Sequence, residues 1–452
     1  MGGIFKAYDV RGVVPEELDE RSAYAIGYFF PQILEPEDLA TVQAVVVSRD
    51  MRATSPALAD AFQQGLRTAG LEVWDIGLAT TPMNYFAVCF LGASAGAQVT
   101  ASHNPAQYNG FKFSRRHAIP VSSETGIGKL ELLVRRGQPA PPSPRGAYQT
   151  REVWPAYETH VLGFLRLSAP RLKVAVDVAN GMATLYEPIF QKLNLDLVPL
   201  FFGLDGSFPN HEANPLKEEN LRFLKQAVVE QGCHFGVAFD GDADRAIMVD
   251  EQGVVVGADL VTALLAGPIL ERFPGAKIVY DVRSSWATRE AILAAGGVPV
   301  RERVGHSFMK ATMRQLSSPF GGELAGHFYY RENFYADSAI ITMIEVLNVL
   351  RREQQPLSAL VAPFRRYART GEVNFHVANK DEVIAALAQT FASGKVDFLD
   401  GITVEFDDWW FNVRPSNTEP LLRLVMEARD PKKLAEAQEG VVEVIRRVGR
   451  DS

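Results

Sequence analysis

Three aspartates alternate in the segment FDGDADRAIMVDEQG, residues 239–253: Asp240, Asp242 and Asp244. The stretches FGVAF and AIMV on either side are typical of strands. Alternate carboxylates in an extended loop can converge on one hard cation such as Mg²⁺, and without a cation they would repel one another in apolar surroundings. An EF-hand is excluded, because the sixth loop position is Arg245 where the turn needs glycine. We predict a strand–loop–strand metal site; the structural alternative is a solvated acidic turn.

A second segment, TASHNP at residues 100–105, places Ser102 beside His103. A serine is a weak nucleophile at neutral pH and needs an activating group. His103 could serve, although adjacent side chains on a strand or loop usually point apart. The alternative is an Asn-Pro turn after a strand.

The glycine-rich segment GGELAGHFYY, residues 321–330, combines backbone that can approach a ligand with two polar side chains. Glu323 could accept hydrogen bonds from two vicinal hydroxyls of a sugar. His327 could donate to a phosphate or move a proton, and a purely structural histidine is an equal alternative.

Hydrogen-bond donors crowd into one turn in VRPSNTEP, residues 413–420. With the backbone N–H groups they would form a nest suited to a phosphate; an Asx-rich hairpin turn is the alternative. The donors are Arg414, Ser416, Asn417 and Thr418.

The elements that must position these residues repeat along the chain. KVAVDVANGMAT (173–184) and KIVYDVRSSWAT (277–288) share their pattern, and a looser copy begins with AVVVSRDMRATS at residue 44. Each copy predicts strand, helix and strand, the signature of parallel α/β units. After residue 365 strands and helices alternate differently, which indicates a small α+β domain.

We therefore predict an α/β protein with three tandem related α/β domains plus a C-terminal α+β domain around a central cleft. The proline-rich stretch RRGQPAPPSPRGAYQ, residues 135–149, should divide the first unit from the second. The predicted domains are residues 1–147, 148–252, 253–365 and 366–452.

The composition excludes several classes of protein. The chain of 452 residues has a formal net charge of −8, which argues against a general nucleic-acid binder. Only two cysteines occur, without a CxxC pair, which favours a reducing compartment. No signal-peptide core and no apolar run of the roughly 18 residues that a membrane span needs is visible, so we expect a cytoplasmic protein without membrane partners.

Taken together, the motifs TASHNP, NGFK, DGDADR, GHSFMK, GGELAGH and RPSNTEP resemble those of the α-D-phosphohexomutase family, specifically its phosphomannomutase/phosphoglucomutase branch. The resemblance runs from FKAYDVRG at residue 5 to VRPSNTEP. It implies an isomerase that moves a phosphoryl group between the 1- and 6-positions of mannose or glucose phosphate. It also implies Mg²⁺, a phosphoserine at Ser102 and hexose 1,6-bisphosphate as intermediate and activator.

The resemblance further implies a role for each candidate residue. Phosphorylated Ser102 would complete the Mg²⁺ site of Asp240, Asp242 and Asp244, with Arg245 beside the transferring phosphate. Glu323 and His327 would address the sugar, and the donors of VRPSNTEP would hold the phosphate that is not reacting. Lys112 is a candidate general base or acid, and Tyr8, Arg11 and His306 likewise match positions lining the cleft. His103, Arg11 and His306 are predicted to be catalytic, and Tyr8 and Arg283 to bind the substrate.

Three positions depart from the family pattern, and the first of them, Ala325, bears on specificity. Ala325 replaces a common serine, which removes one hydroxyl contact, and Arg283 replaces a common lysine. Ala243 replaces a common glycine, a mild change provided that the backbone there avoids positive φ.

Alternative functions remain at this stage. They are a Mg²⁺-dependent sugar phosphatase using the same serine, a phosphoglucosamine mutase, and a non-catalytic phosphosugar-binding protein. Leu324 argues mildly against the glucosamine enzyme, which tends to have Gln there. The expected partner is a small phosphosugar, and the expected oligomeric state is monomer or dimer.

Overall fold

The computed structural model describes residues 3–40, 42–416 and 421–449. Four separate β-sheets follow one another along the chain, and each has its own covering helices. The first three sheets contain parallel strand pairs and the fourth is antiparallel throughout. The predicted fold class, three α/β domains and a C-terminal α+β domain, is confirmed.

The first sheet has the strand order β1-β5-β4-β2-β3-β7, with β6 paired to β5. Strand β2 reads AVVVSR and is buried at every position but its last, as expected for a parallel strand covered on both faces. The elements are β1 (Val10–Val13), α1 (Glu20–Phe29), β2 (Ala44–Arg49), α2 (Ser55–Thr68), β3 (Glu72–Leu78), α3 (Thr81–Phe90), β4 (Ala95–Val99), β5 (Tyr108–Arg115), β6 (Ile119–Pro120), α4 (Gly128–Arg136) and β7 (Tyr148–Thr150).

The second and third sheets contain the two closest copies of the sequence repeat. In each copy two parallel strands flank one helix, so β8–α6–β9 corresponds to β13–α9–β14. The second domain comprises α5 (Trp154–Leu162), β8 (Leu172–Asp177), α6 (Glu187–Lys192), β9 (Leu195–Leu200), α7 (Arg222–Glu230), β10 (Phe235–Phe239), β11 (Ala246–Asp250) and β12 (Val255–Val256). The third comprises α8 (Ala258–Arg272), β13 (Lys277–Asp281), α9 (Trp286–Ala294), β14 (Val298–Glu302), α10 (His306–Leu316), β15 (Phe320–Gly322), β16 (Phe328–Tyr330), β17 (Ala336–Asp337), α11 (Ala339–Glu353) and α12 (Leu357–Val361).

The fourth domain packs two helices on an antiparallel sheet. Its last helix is capped at its start, because Asp430 accepts a hydrogen bond from the Lys433 backbone N–H at 2.9 Å and Pro431 occupies the first turn. The elements are β18 (Ala368–Arg369), β19 (Val373–Phe375), α13 (Lys380–Thr390), β20 (Lys395–Asp397), β21 (Ile402–Glu405), β22 (Trp409–Pro415), β23 (Leu422–Ala428) and α14 (Pro431–Val448).

Two short strands just beyond the predicted domain boundaries at residues 147 and 252 pair with the sheet of the preceding domain. Strand β7, just beyond the expected boundary at residue 147, pairs with β3 of the first sheet. Strand β12, just beyond residue 252, pairs with β11 of the second sheet. The proline-rich stretch lies along the first domain, where Tyr24 donates to the Ala140 carbonyl at 2.8 Å. The chain therefore adds one more edge strand before it leaves the first domain.

The hydrophobic cores show how firmly the domains are joined. One continuous cluster runs from α3 of the first domain through the second and third domains. The fourth domain has a core of its own, built on β21–β23, α13 and α14. Within the described part of the chain, no helix has both the length and the apolarity to cross a membrane.

Candidate active site

Ser102 lies in the turn between β4 and β5 with a positive φ of 50°, a conformation that non-glycine residues adopt at a cost. Its buried hydroxyl is 2.9 Å from Asp240 Oδ2 and 3.2 Å from His103 Nδ1. The left-handed turn brings these adjacent side chains together, contrary to the rule that neighbours point apart. Arg52, fully buried, fixes the turn by donating to the carbonyl oxygen of Ser102 at 2.9 Å.

The three aspartates occupy the loop between β10 and β11 and are buried, with their carboxylate oxygens within 4.8 Å of one another. Asp240 Oδ1 accepts from the backbone N–H groups of Asp244 at 3.1 Å and Arg245 at 3.2 Å. Burial raises the pKa of Asp240 well above its usual value, and the charges of Asp244 and Asp242 raise it further. Ala243 adopts φ 64°, so the condition for a mild replacement of glycine is not met.

Lys112 on β5 reaches this cluster with its ammonium group. Nζ is 2.6 Å from Asp242 Oδ2 and 2.5 Å from Asp244 Oδ2. Burial alone would lower the pKa of Lys112, but the two carboxylates hold it well above its usual value. In this arrangement Lys112 is a cation that can donate a proton and cannot accept one.

The cluster fits a hard divalent cation. Among the described residues, the buried atoms Asp242 Oδ1 and Asp244 Oδ1 have no hydrogen-bond partner. Three carboxylates carry more negative charge than the Lys112 ammonium and the Arg245 guanidinium together neutralise, and oxygen is the donor that Mg²⁺ prefers. The orphaned oxygens and the excess charge are what a metal site requires.

A chain of polar contacts leads from the aspartates into the third domain. Arg245 Nε lies 3.7 Å from Asp240 Oδ2 and donates to His327 Nε2 at 2.9 Å. Since Nε2 accepts, the ring proton is on Nδ1, which is 2.9 Å from Asp337 Oδ2. The fully buried Lys310 completes the chain with Nζ 2.7 Å from Asp337 Oδ1. Nε2 of His327 is thus committed to Arg245, so donation from Nε2 to a phosphate would require Arg245 to move.

Replacing Asp337 with asparagine should destabilise the protein by about 3 kcal/mol, because it leaves the Lys310 ammonium buried without a counter-charge. The double variant Lys310→Met with Asp337→Asn should recover most of this loss, since no charge is then stranded. Urea unfolding of the wild type, both single variants and the double variant gives the coupling free energy. Additive effects would show that the pair does not act as a unit.

Glu323 directly follows β15 and is almost fully buried. Its carboxylate accepts from the Gly305 backbone N–H at 2.8 Å and from the Tyr329 hydroxyl. Gly326, at φ 85°, makes the turn that returns the chain to β16. Each carboxylate oxygen retains a second lone pair, so Glu323 can still accept from a ligand.

Arginines gather where the third and fourth domains meet. Arg283 follows β13 and donates to Asp281 Oδ2 at 2.5 Å, while Arg414 on β22 donates to Glu372 Oε2 at 2.9 Å. Arg423 on β23 lies 3.1 Å from Glu372 Oε1. Ser416 is buried, and its backbone N–H donates to the Leu421 carbonyl at 2.9 Å. The predicted residues Asn417 and Thr418 lie outside the described residues.

The remaining predicted residues lie around the same region. Tyr8 packs edge-on to His306 with ring centroids 5.4 Å apart, and His306 lies 6.4 Å from His327 by the same measure. His306 Nδ1 has no hydrogen-bond partner within the described part of the chain. Arg11 donates to Asn104 at 2.7 Å, beside the Ser102 turn. Burial lowers the pKa values of His103 and His306 well below normal, helped by the cations Arg245 and Lys310 respectively, so both rings are neutral.

Several residues that hold the site in place are not predicted from the sequence. They act by holding others in place, as Arg52 holds the serine turn and Thr81 donates to Asp242 at 2.5 Å. Lys310 lies inside the motif GHSFMK, which supports the family resemblance but does not by itself indicate what Lys310 does. Local pattern offered no signal for Asp337 or Glu372, because their partners are distant in sequence.

A strained serine lies against three buried carboxylates, and a group of arginines lies where the third and fourth domains meet; this combination suits an enzyme that acts on phosphate esters. The chain belongs to the phosphoglucomutase/phosphomannomutase family. Matches to its alpha/beta/alpha domains I, II and III cover residues 2–138, 156–253 and 258–367, and the match to its C-terminal domain covers residues 372–444. The resemblance drawn from the motifs is confirmed.

Individual relatives agree with this assignment. The chain is 40% identical over 442 residues to a protein of Xanthomonas campestris pv. campestris (strain B100) named "Phosphohexose mutases", covering 96% of this chain and 97% of that one. It is 38% identical over 446 residues to a phosphomannomutase of Escherichia coli (strain K12), covering 96% of each. A crystal structure of a phosphoglucomutase/phosphomannomutase family protein from Burkholderia thailandensis superposes with a TM-score of 0.89 at 33% identity, covering 98% of this chain and 97% of that one. These relatives do not favour the phosphatase or the glucosamine mutase.

Proposed function

We propose that this protein interconverts the 1- and 6-phosphates of a hexose, mannose or glucose, through phosphorylated Ser102 and a hexose 1,6-bisphosphate. The observation that carries the proposal is the Ser102 hydroxyl, 2.9 Å from one of three buried carboxylates and 3.2 Å from a histidine ring. A phosphoryl group on this oxygen would sit beside Arg245 and Lys112, the cations suited to its charge.

Each half-reaction balances as a simple exchange. In the first, the free hydroxyl oxygen of the hexose phosphate bonds to the phosphorus of phosphoserine, the bond to Ser102 Oγ breaks, and the hydroxyl proton is transferred to the serine oxygen by way of protein groups. In the second, Ser102 Oγ bonds to the phosphorus of the other phosphate of the reoriented bisphosphate, the bond from that phosphorus to the sugar oxygen breaks, and the serine proton passes by way of protein groups to the sugar oxygen. Neutral His103, with Nδ1 facing Ser102 Oγ, is the group placed to hold that proton.

Asp240, Asp242 and Asp244, together with an oxygen of phosphorylated Ser102, would hold Mg²⁺. A bound Mg²⁺ supplies Lewis-acid neutralisation of charge on the phosphoryl group. Lys112 stays a cation between Asp242 and Asp244, so we assign it the role of proton donor and charge stabiliser.

The substrate would span the third and fourth domains. Glu323 addresses the sugar hydroxyls, and His327 keeps Arg245 directed at the aspartates. Arg414, Ser416 and Arg283 bind the phosphate that is not reacting, and Asn417 and Thr418 are proposed with them. Tyr8, Arg11 and His306 would line the path in which the bisphosphate turns over.

The test is ³¹P NMR of the protein with Mg²⁺, a trace of glucose 1,6-bisphosphate, and mannose 1-phosphate or glucose 1-phosphate. We expect the 1-phosphate resonance to give way to a 6-phosphate resonance without growth of inorganic phosphate. The faster sugar then identifies the preferred substrate. Growth of inorganic phosphate would instead identify a phosphatase.

Replacing Arg414 with glutamine should raise KM for the 1-phosphate about 10- to 100-fold with a smaller effect on kcat, because the lost contact binds ground state and transition state alike. Initial rates over a range of substrate concentrations measure both constants. Arg447→Gln, on the last turn of α14, is the matched control and should change neither constant. The proposed group of Arg283, Arg414 and Ser416 that binds the non-reacting phosphate is called the phosphate clamp. An unchanged KM in the Arg414 variant would show that this clamp is misassigned.

The cellular setting follows from the same chemistry. Phosphosugars are small and anionic, and the chain's net charge of −8 gives no general attraction for nucleic acid. We propose a cytoplasmic enzyme, monomer or dimer, whose partner is its phosphosugar substrate.

A further inference from the structure

Glu372 occupies the connection between β18 and β19 at the start of the fourth domain. Its carboxylate lies 2.9 Å from Arg414 Nη2, 3.1 Å from Arg423 Nη1 and 3.7 Å from Arg283 Nη1. Two of these arginines are proposed to bind the non-reacting phosphate. One carboxylate therefore stands among guanidinium groups that a phosphate would need.

The burial of these side chains explains why a carboxylate is there. The side chains of Arg414 and Arg283 are only 3% and 8% exposed, whereas that of Glu372 is 28% exposed. A guanidinium so far from water is costly without an anion. Arg283 also has Asp281, but Glu372 is the only ion-pair partner of Arg414 within residues 3–40, 42–416 and 421–449.

We propose that Glu372 is an internal counter-anion that the substrate's phosphate displaces, so that this residue sets the affinity of the phosphate clamp. The inference rests on the proposed function. A phosphate carries up to two charges and three acceptor oxygens, so it satisfies the guanidinium groups better than one carboxylate. Glu372 can leave readily because its side chain already reaches solvent and the space beside the neighbouring Gly371 is open: a Cβ placed on that glycine would have no heavy atom around it within 4 Å.

Displacement makes the clamp reversible. A mutase must release one phosphate and bind the other as the bisphosphate turns over, so a clamp of bare arginines would hold its ligand too long. An internal anion that returns when phosphate leaves weakens binding at the point where turnover requires release. Removing it should therefore tighten phosphate binding.

The opposite result follows if Glu372 only orients the arginines. Its loss would then allow Arg414 and Arg423 to turn away, and phosphate binding would weaken. A third case is simple long-range repulsion, in which any nearby negative charge opposes phosphate binding equally. Asp400 provides the matched control, because its charge also acts on Arg414 while its Oδ2 accepts from the Val304 backbone N–H at 3.0 Å.

The experiment measures binding of glucose 6-phosphate and of inorganic phosphate to the full-length protein by calorimetry, for the wild type, Glu372→Gln and Asp400→Asn. We expect Glu372→Gln to bind both ligands roughly tenfold more tightly and to lower KM, and Asp400→Asn to stay within about twofold of the wild type. Unchanged or weaker binding by Glu372→Gln overturns the inference, as does an equal gain in Asp400→Asn. Glutamine nearly matches the glutamate shape, and thermal melts verify that each variant is folded.

Failure of the inference is distinguishable from failure of the proposed function. The ³¹P NMR assay of the wild type tests the mutase reaction without reference to Glu372. A wild type that interconverts the two phosphates, with no gain in affinity in Glu372→Gln, removes the inference alone. A wild type that does not interconvert them removes the proposed function, and with it the basis of the inference.

Discussion

Alanine at position 102 should lower kcat at least ~10⁴-fold while leaving the protein folded. The loss is large because the hydroxyl oxygen is proposed to form and break the bond to phosphorus in both half-reactions, and no other described side chain shares its contacts with Asp240 and His103. Alanine should preserve the backbone conformation of the turn, since a methyl group tolerates φ 50° as well as a serine side chain does. The ³¹P assay measures the rate, and incubation with glucose 1,6-bisphosphate followed by mass spectrometry measures the phosphoryl group on the protein.

The control is Ser114→Ala on β5, a buried serine whose hydroxyl has no hydrogen-bond partner within the described residues. It should retain turnover within a few-fold. Ser102→Ala should keep its free energy of unfolding within about 2 kcal/mol of the wild type, since it loses the hydroxyl's two contacts, with Asp240 and with His103. A folded Ser102→Ala protein with normal turnover would remove the phosphoserine from the mechanism.

The parts of the fold that the sequence predicts are those whose cause is local. Strands such as β2, β8 and β13 are buried on nearly all positions, so each reads as a continuous apolar run followed by a helix pattern. The aspartate loop reads as a site because three charges between two apolar strands have few structural explanations. Ser102 stands out in the sequence because its motif combines a hydroxyl, a histidine and a turn.

The parts that the sequence does not predict depend on contacts between distant segments. Lys112 is 130 residues from Asp242 in sequence, and their contact fixes Lys112 as a cation, which neither motif alone indicates. The approach of His103 to Ser102 depends on a left-handed turn, and the strain at Ala243 depends on φ 64°, both set by packing rather than by residue type. Glu372 has no motif, and only the meeting of β22, β23 and the end of β13 gives it three arginines.

Replacing Asp240 with asparagine should separate the stability of the aspartate cluster from its activity. Three carboxylates share a buried space with the Lys112 ammonium and the nearby Arg245 guanidinium, so in the absence of a divalent cation one negative charge is in excess and the carboxylates' repulsion opposes folding. Asparagine removes one charge, keeps an oxygen that can accept from the backbone N–H groups of Asp244 and Arg245, and nearly preserves shape. In EDTA, Asp240→Asn should therefore be more stable than the wild type by about 1–2 kcal/mol.

With Mg²⁺ the order should reverse. The wild type should gain stability as Mg²⁺ concentration rises, by the free energy of binding to the folded state, whereas Asp240→Asn should gain little and lose turnover at least ~10³-fold. Urea unfolding in EDTA and in Mg²⁺, with ³¹P rates in parallel, measures both effects. The control is Asp250→Asn, at the end of β11. The Asp250 carboxylate pairs with Arg365 and accepts from the Val254 backbone N–H, and neither contact involves the aspartate cluster. This variant should lose stability and keep its response to Mg²⁺. An Asp240→Asn protein that Mg²⁺ stabilises as strongly as the wild type would show that the cation binds elsewhere, and the three buried carboxylates would then need another source of neutralisation.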